Sequence, residues 1–333
     1  MSHRTDWFHQ AGWGLFFHYL AAPASSTSEA ELTSDEWNRR VDSFDAEAFA
    51  KQVAEISAPY VFLTIGQNSG FYCSPNQTYD DIVGISPSKC SRRDLIADVA
   101  RALQPYNIRT LAYLPGNGPM QDEEALRKLR FTPPWDASSS GGFNNALCDP
   151  HTDERLTEFQ QNWEAIIREW SLRWGELVSG WWIDGCYFAD KMYLHEEAPN
   201  FASFAAALRA GNDQSIVAFN RAVVEHNPKM AATPEEDYTA GEVFDLFAVC
   251  KGRWMEIEGK PVQWHTLFYA GEFWGRGEPR FANNFIEGYT RHVIENEGVV
   301  TWDIPVSDTG EIPQSFIEQM KFLSALKSLT STA

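Results

Sequence analysis

Carboxylates at two places in the sequence could act together on a glycosidic bond. Asp184 ends the apolar run Ser179–Gly185, which reads SGWWIDG, and an ionised carboxylate there needs a reason. The segment Thr233–Glu242, which reads TPEEDYTAGE, offers four further acids: Glu235, Glu236, Asp237 and Glu242. In a retaining glycosidase one carboxylate attacks the anomeric carbon while the other donates and then withdraws a proton. The proton donor is favoured by a partly desolvated place beside another carboxylate.

The same acids also have structural interpretations. An Asp before a Gly is common in turns and at helix starts, so Asp184 alone is ambiguous. The acidic segment, taken alone, is typical of a solvated loop. Spacing along the chain does not reveal which of Glu235, Glu236 and Glu242 would lie near Asp184.

Motifs for other chemistries are missing from the sequence. It contains no HxH or HExxH pattern, no GxSxG elbow, no GxxxxGK[ST] loop and no GxGxxG after a strand. The five Cys are widely spaced and form no CxxC pair, which predicts reduced, structural thiols. We therefore predict neither a metal nor a cofactor. Among the eight His, His18 is the best placed for a site because it ends the first predicted strand.

The composition narrows the choice of partners and location. The 46 Asp and Glu against 27 Lys and Arg give a formal charge of −19, which argues against a nucleic acid or an anionic membrane as partner. The 13 Trp suit either core filling or stacking on a sugar ring. The N-terminus lacks an apolar signal region and no run of 18 apolar residues occurs, so we expect a cytoplasmic protein. The oligomeric state is left open.

Short apolar runs alternate with segments of helical period, which is the pattern of βα units. The predicted strands are Gly14–His18, Tyr60–Ile65, Thr110–Tyr113, Gly180–Asp184, Ile216–Asn220, Leu246–Val249, a weak one at Val262–His265, and Val299–Ile304. The predicted helices are Ala46–Ile56, Leu95–Leu103, Asp153–Trp174, Phe201–Ala210, Phe285–Glu297 and Pro313–Leu329, with a capping box at Ser91–Asp94.

About eight such units favour a (β/α)8 barrel over a doubly wound sheet, with residues 1–333 as a single domain. The longest irregular regions, Ala21–Asp35, Gln67–Cys90 and Pro115–His151, each follow a predicted strand. Loops at that end of a barrel carry its active site.

An ordered series of motifs resembles the α-L-fucosidases of glycoside hydrolase family 29. The series consists of WFHQAGWGLFFHY (Trp7–Tyr19), SDEW (Ser34–Trp37), the stretch Phe44–Tyr72, WWIDG (Trp181–Gly185), AFNR (Ala218–Arg221), DYTAGE (Asp237–Glu242), YAGEFWG (Tyr269–Gly275) and Gly298–Pro313. Each motif alone is weak, but together they run in order from Trp7 to Pro313 and cover nearly the whole chain.

The resemblance implies a barrel that uses no metal and retains configuration at the anomeric carbon. Asp184 would be the nucleophile and Glu242 the acid/base. The sugar hydroxyls would be held by His18, Trp37 and Arg221, with Glu36 as a supporting carboxylate and Trp274 in an apolar wall. The chain ends about where the usual C-terminal β-sandwich of the family would begin, so we expect a lone catalytic domain.

This sequence also departs from the family pattern. The family's His-His-Asp-Gly-Phe is here Gln67-Asn68-Ser69-Gly70-Phe71, so amides replace two imidazoles that bind sugar hydroxyls. Asp303 replaces the usual Asn, and Arg276 the usual Tyr. A site built for one hydroxyl pattern rejects another, because buried polar groups are left unpaired. These departures leave the sugar itself open.

Three hypotheses follow. The first is a retaining exo-glycosidase that acts on an α-L-fucoside or a related sugar. The second, motivated by the two missing His, is a non-catalytic sugar-binding protein on a degenerate glycosidase barrel. The third is an unrelated barrel hydrolase, which a bound metal would distinguish from the other two.

Overall fold

The computed structural model describes residues 3–24, 32–131, 155–186, 193–220, 233–243 and 248–326. The strands in these ranges are β1 (Trp13–Phe17), β2 (Tyr60–Thr64), β3 (Arg109–Pro115), β4 (Val178–Asp184), β5 (Ile216–Phe219), β6 (Trp254–Ile257), β7 (Lys260–Gln263), β8 (His265–Tyr269) and β9 (Val299–Asp303). Seven of them form a curled sheet in the order β5-β4-β3-β2-β1-β9-β8, and all neighbours in it are parallel. The predicted (β/α)8-like class is confirmed.

A segment without regular strand geometry, Asp237–Val243, lies between β5 and β8. The backbone N–H of Asp237 donates to Val217 of β5 at 2.9 Å, and the N–H of Val243 donates to Leu267 of β8 at 3.2 Å. Gly241 has φ of 62°, and a Cβ there would lie 2.1 Å from the carbonyl oxygen of His265. The segment therefore occupies the eighth strand position, and it requires glycine where it approaches β8.

This arrangement corrects the predicted strand at Leu246–Val249. Residues 244–247 lie outside the described part of the chain, and residues 248–249 are not in a strand. The eighth segment was not predicted as a strand because it lacks an apolar pattern. Its buried residues include Asp237 and Thr239 as well as apolar side chains.

The weak strand predicted at Val262–His265 is also wrong in its bounds. Strands β6 and β7 form an antiparallel hairpin whose turn, Glu258-Gly259, has two positive φ angles, 48° and 78°. Two positive φ angles are typical of the tight hairpin turns that match the strand twist. The barrel strand β8 begins only at His265.

Helices pack around the sheet, and the first of them places Phe8 against the inner residues Tyr60 and Tyr238. The helices are α1 (Asp6–Ala11), α2 (Ser34–Ser43), α3 (Ala46–Ile56), α4 (Gln77–Val83), α5 (Leu95–Leu103), α6 (Glu123–Leu129), α7 (Thr157–Trp174), α8 (Phe201–Leu208), α9 (Asn283–Glu295) and α10 (Gln314–Lys321). Helices α3 and α5 have the predicted bounds. Helices α4 and α6 lie in regions predicted to be irregular, because each is only seven residues long and shows little periodicity.

The capping box predicted at Ser91–Asp94 does not form. Asp94 caps α5 by itself and accepts a hydrogen bond from the backbone N–H of Ala97, whereas the Ser91 hydroxyl donates to the carbonyl oxygen of Arg93. A complete capping box instead starts α2, where Thr33 and Glu36 each bind the other's backbone N–H.

Side chains alternate between two apolar layers along each strand. In β1, Leu15 and Phe17 pack with the helices, whereas Phe16 joins Phe62 and Trp182 inside the barrel. Among the residues that the structure describes, seven Trp are fully buried: Trp13, Trp37, Trp163, Trp170, Trp181, Trp182 and Trp302. Core filling thus accounts for much of the Trp content.

Two further features concern the described residues as a whole. Their four Cys, Cys73, Cys90, Cys186 and Cys250, are buried and form no disulfide; Cys148 lies outside the described ranges. No helix among them has the length and apolarity to cross a membrane.

Candidate active site

Asp184 lies at the carboxyl end of β4 and accepts three hydrogen bonds from residues in the described ranges. Its Oδ1 accepts from the backbone N–H of Gly185 at 2.8 Å and from Nδ2 of Asn220 at 2.9 Å, and its Oδ2 accepts from the hydroxyl of Tyr113 at 2.6 Å. The first contact is what a turn Asp makes, but the other two come from the ends of β3 and β5. The carboxylate therefore binds donors from three neighbouring parts of the barrel. A turn Asp would need only the backbone contact.

Glu242 faces Asp184 from the eighth segment. Its backbone forms a parallel bridge with Leu267 of β8, and its Oε2 accepts a hydrogen bond from Nδ2 of Asn220 at 2.5 Å. Burial, and next the charge of Asp184, raise the pKa of Glu242 well above its ordinary value, while the Asn220 N–H acts in the opposite direction. Glu242 is thus suited to hold a proton near neutral pH.

Asn220 joins the two carboxylates, and the sequence analysis did not single it out. Because one nitrogen bonds Asp184 Oδ1 and Glu242 Oε2, these two oxygens lie at most about 5.4 Å apart. The available signal was its position after β5, since residues that follow barrel strands line the mouth. Asn220 is the third residue of the AFNR motif, whose Arg221 lies outside the described residues.

Tyr113 is the second residue that the sequence analysis missed. Its ring is buried and stacks on Trp182 at 5.5 Å with an interplanar angle of 16°. Its hydroxyl bonds Asp184 and accepts a hydrogen bond of 2.7 Å from Nε2 of Gln67. Gln67 is therefore linked to Asp184 through Tyr113, and its expected contact with the substrate stays a prediction. Asn68 is half-buried beside it, and its backbone carbonyl accepts from Gln121.

His18 and Trp274 lie together on another side of the mouth. Nδ1 of His18 lies 2.6 Å from Oδ1 of Asp303, and Oδ2 of Asp303 accepts a 2.6 Å hydrogen bond from the backbone N–H of Gly275. The ring of His18 lies 5.7 Å from Trp274 and 5.8 Å from Tyr113. Burial raises the pKa of Asp303, and His18 opposes this shift. Asp303 thus fixes both the imidazole and the loop that carries Trp274.

Glu36 and Trp37 have protein partners in this structure, and their expected place among the sugar contacts stays a prediction. Glu36 is exposed and caps α2 through Thr33. Trp37 is fully buried, and its Nε1–H donates to the carbonyl oxygen of Tyr72 at 2.9 Å. The α2 backbone turns one side chain to the surface and the other into the core, so the SDEW motif supplies a cap and a core residue.

The other acids of the segment Thr233–Glu242 are structural. Glu236 is buried and accepts hydrogen bonds from the backbone N–H groups of Phe219 and Thr233. Asp237 is buried between two guanidinium groups, Arg4 at 2.7 Å and Arg209 at 2.6 Å. Glu235 pairs with Lys260 at the surface at 3.4 Å. The interpretation of this segment as a solvated loop is therefore wrong, because most of it is buried in the barrel wall.

The fold and the carboxylate pair define a (β/α)8-like barrel with a paired acidic site at its carboxyl end. The sequence matches no protein-family model and no curated protein. Several solved structures of glycoside hydrolases are similar to this chain.

The endo-fucoidan hydrolase P5AFcnA from glycoside hydrolase family 107 superposes with a TM-score of 0.68 at 14% identity, covering 98% of this chain and 95% of that one. The family 107 enzyme MfFcnA4 gives a TM-score of 0.71 at 17% identity over 98% of this chain, which spans 54% of its length. The α-L-fucosidase AlfC from Lactobacillus casei, in complex with α-L-fucose product, gives 0.62 at 14% identity over 98% and 99%. At these identities the likeness shows the fold. This fold occurs in family 107 as well as in an α-L-fucosidase, so it does not single out the family that the sequence resembles.

Proposed function

We propose that this chain is a retaining glycoside hydrolase that acts on an α-L-fucoside or a related sugar, with residues 1–333 as one catalytic domain. The observation that carries the proposal is the sharing of Asn220 Nδ2 by Asp184 and Glu242. The bound of about 5.4 Å between their oxygens supports retention, for which carboxyl groups lie roughly 5–5.5 Å apart.

The two carboxylates have the unequal environments that the double displacement needs. Asp184 has three donors that stabilise its negative charge, so it is the nucleophile that attacks the anomeric carbon. Glu242 holds its proton and gives it to the leaving oxygen. In the second half of the reaction Glu242 takes a proton from water, which then attacks the glycosyl ester on Asp184.

The sugar is inferred from the resemblance and from the neighbours. The neighbouring proteins are named as endo-fucoidan hydrolases and as α-L-fucosidases, so fucose is the sugar that both groups share. The family 29 resemblance supports exo action, which releases a single sugar. The family 107 neighbours are named endo-fucoidan hydrolases, and this favours endo action as the second candidate.

Turnover of aryl glycosides tests the proposal. The panel begins with an aryl α-L-fucoside and continues with sugars of related configuration, for the wild type and for the Asp184→Gly variant. We expect turnover by the wild type, its loss in Asp184→Gly, and a first product of retained configuration by NMR. Release of the single sugar from an oligosaccharide supports exo action, and release of shorter oligosaccharides supports endo action. Full activity in Asp184→Gly would overturn the assignment.

The matched control is Glu235→Ala. Glu235 belongs to the same acidic segment as Glu242 but pairs with Lys260 at the surface. Its loss removes a negative charge from the segment and leaves the carboxylate pair in place, so turnover should stay at the wild-type level. A folded wild type that turns over no member of the panel would favour the sugar-binding alternative.

A further inference from the structure

The backbone of Asn220 is fixed on both sides of Asp184. Its N–H donates to the carbonyl oxygen of Ile183 at 2.7 Å, and its carbonyl oxygen accepts from the N–H of Cys186 at 2.9 Å. The residue is buried, with 2% of its surface exposed. The side-chain amide therefore starts from a rigid backbone, and its two N–H groups have fixed directions.

The four oxygens of the carboxylate pair are not equivalent. Asp184 Oδ1 accepts from Asn220 and from the N–H of Gly185, whereas among the residues that the structure describes Oδ2 has Tyr113 as its donor. Glu242 Oε2 accepts from Asn220, and Glu242 Oε1 accepts from none of the residues that the structure describes. Each carboxylate thus has one oxygen engaged by Asn220 and one oxygen with more lone-pair capacity left.

We propose that Asn220 is a positioning residue that selects the reacting oxygen of each carboxylate: Asp184 Oδ2 attacks the sugar, and Glu242 Oε1 carries the proton. This inference rests on the proposed function and deepens it. An oxygen that already accepts two hydrogen bonds is a poor nucleophile, because its lone pairs are occupied. A proton on Glu242 Oε2 would face the Asn220 N–H, so the proton belongs on Oε1.

In the first step, Asp184 Oδ2 forms a bond to the anomeric carbon, and the bond from that carbon to the glycosidic oxygen breaks. The electron pair of the broken bond stays on the leaving oxygen, which takes the proton from Glu242 Oε1. Asp184 becomes a neutral ester and Glu242 becomes a carboxylate, and the Asn220 N–H toward Oε2 stabilises the charge that appears on it.

Other titratable groups surround the pair, and a variant of Asn220 leaves them unchanged. They are Tyr113 on β3, Cys186 after β4, Glu236 beside β5, and His18 with Asp303 on the far side of the mouth. Tyr113 and Cys186 both lie close to Asp184, and burial raises the pKa of the Cys186 thiol. A shift in Asn220→Ala is therefore assignable to the lost N–H groups, whereas Asn220→Asp also adds an acid beside the pair.

The test compares Asn220→Ala and Asn220→Asp with the wild type. Asn220→Asp keeps the shape of the side chain but replaces the donating nitrogen by an oxygen. We expect both variants to lower kcat/KM about 100-fold, the scale measured for removal of one donor from a charged intermediate. Loss of the N–H groups destabilises both charged carboxylates, so both limbs of the pH profile should move up by about one pH unit.

The matched control is Asn212→Ala. Asn212 donates to the carbonyl oxygen of Val178 at the other end of β4, so its loss also removes an amide that holds this strand. It should leave both limbs of the pH profile in place. Asn220→Asp with wild-type kcat/KM and unshifted limbs would overturn the inference, because it would show that only the shape of the side chain matters.

Two further readouts separate this inference from the proposed function. Infrared titration of the Glu242 carboxyl needs no turnover, and in Asn220→Ala its pKa should rise. If this rise is seen in a chain that hydrolyses no glycoside, the proposed function fails while the positioning role stands. In an active enzyme, a crystal structure of the ester trapped with a 2-fluoro glycosyl fluoride should show the sugar on Asp184 Oδ2; a bond to Oδ1 would overturn the oxygen assignment.

Discussion

The side-chain amide of Gln67 donates a 2.7 Å hydrogen bond to the phenol oxygen of Tyr113. An amide N–H can only donate, so the hydroxyl hydrogen of Tyr113 is left to point at Asp184 Oδ2, 2.6 Å away. A His in this place could donate or accept, depending on its tautomer. With Nε2 of Gln67 as the donor, the chain of hydrogen bonds runs from Gln67 through Tyr113 to Asp184.

Gln67→Glu reverses the direction of this chain. A carboxylate at position 67 accepts from the Tyr113 hydroxyl and draws its hydrogen away from Asp184. We expect kcat/KM to fall about tenfold, the effect of losing one hydrogen bond to a charged group. In the Tyr113→Phe background the same substitution should have little further effect, and a double-mutant cycle measures this. Additive losses, with the loss from Gln67→Glu appearing mainly in KM, would instead indicate a direct contact of Gln67 with the sugar.

Glu242→Ala tests the acid/base assignment through the leaving group. Without a proton donor, substrates with poor leaving groups should slow by 10²–10⁴-fold, on the order of the full contribution of general acid catalysis, and activated aryl glycosides much less. Added azide should restore turnover and give a glycosyl azide. Glu236→Gln is the comparison, because it alters a buried acid that binds backbone N–H groups. Equal losses for both kinds of leaving group would refute the role of Glu242.

Gly275→Ala should disturb the contact between His18 and Asp303. A Cβ at this position would lie 2.7 Å from Cβ of His18, and φ is already 65°. The N–H of Gly275 also binds Asp303, so a shift of the loop breaks that contact too. We expect a loss of stability of about 2–3 kcal/mol, together with a clear loss of kcat/KM.

Gly259→Ala is the control for Gly275→Ala, because it introduces backbone strain at a positive φ without a steric clash. Gly259 has φ of 78° in the β6–β7 turn, and a Cβ there meets nothing within 4 Å. The variant should lose about 1 kcal/mol by chemical denaturation, with unchanged kcat/KM. If both variants lose stability equally and both keep activity, the loop that carries Trp274 does not position His18 for the reaction.

The sequence was sufficient for those parts of the site that lie on regular strands. Asp184 follows a continuous apolar run, and His18 follows another, so the strand pattern alone places both at the mouth of a barrel. The ends of these strands then coincide because parallel pairing fixes the register, as in the pairing of Pro115 with Asp184.

The parts that the sequence could not provide depend on side-chain direction and on irregular backbone. Asn220 and Tyr113 are ordinary residues in the pattern, and their role appears only when three strand ends converge. The segment that carries Glu242 has no strand period, since a glycine and buried polar groups pack it against β8. Trp37 lies within a family motif, but its side chain is buried and its Nε1–H donates to the carbonyl oxygen of Tyr72.

Glu164 gives a prediction about stability, away from the site. It lies on α7, accepts hydrogen bonds from Ser203 and Gln160, and burial raises its pKa to about 7 from 4.5. The folded state therefore binds this proton more tightly than the unfolded state. The resulting stability is fully present below pH 4.5 and is lost as the pH rises through about 7.

Glu164→Gln removes this dependence, because the neutral amide still accepts through Oε1. We expect equal stability below pH 4.5, an advantage of the variant that grows up to about pH 7, and a plateau of about 3 kcal/mol above it. Urea denaturation at a series of pH values measures it. Glu158→Gln on the same helix is the control, since its side chain is 75% exposed and it should show no such trend. If the two variants follow the same curve, Glu164 is not the carboxyl that stays protonated in the folded chain.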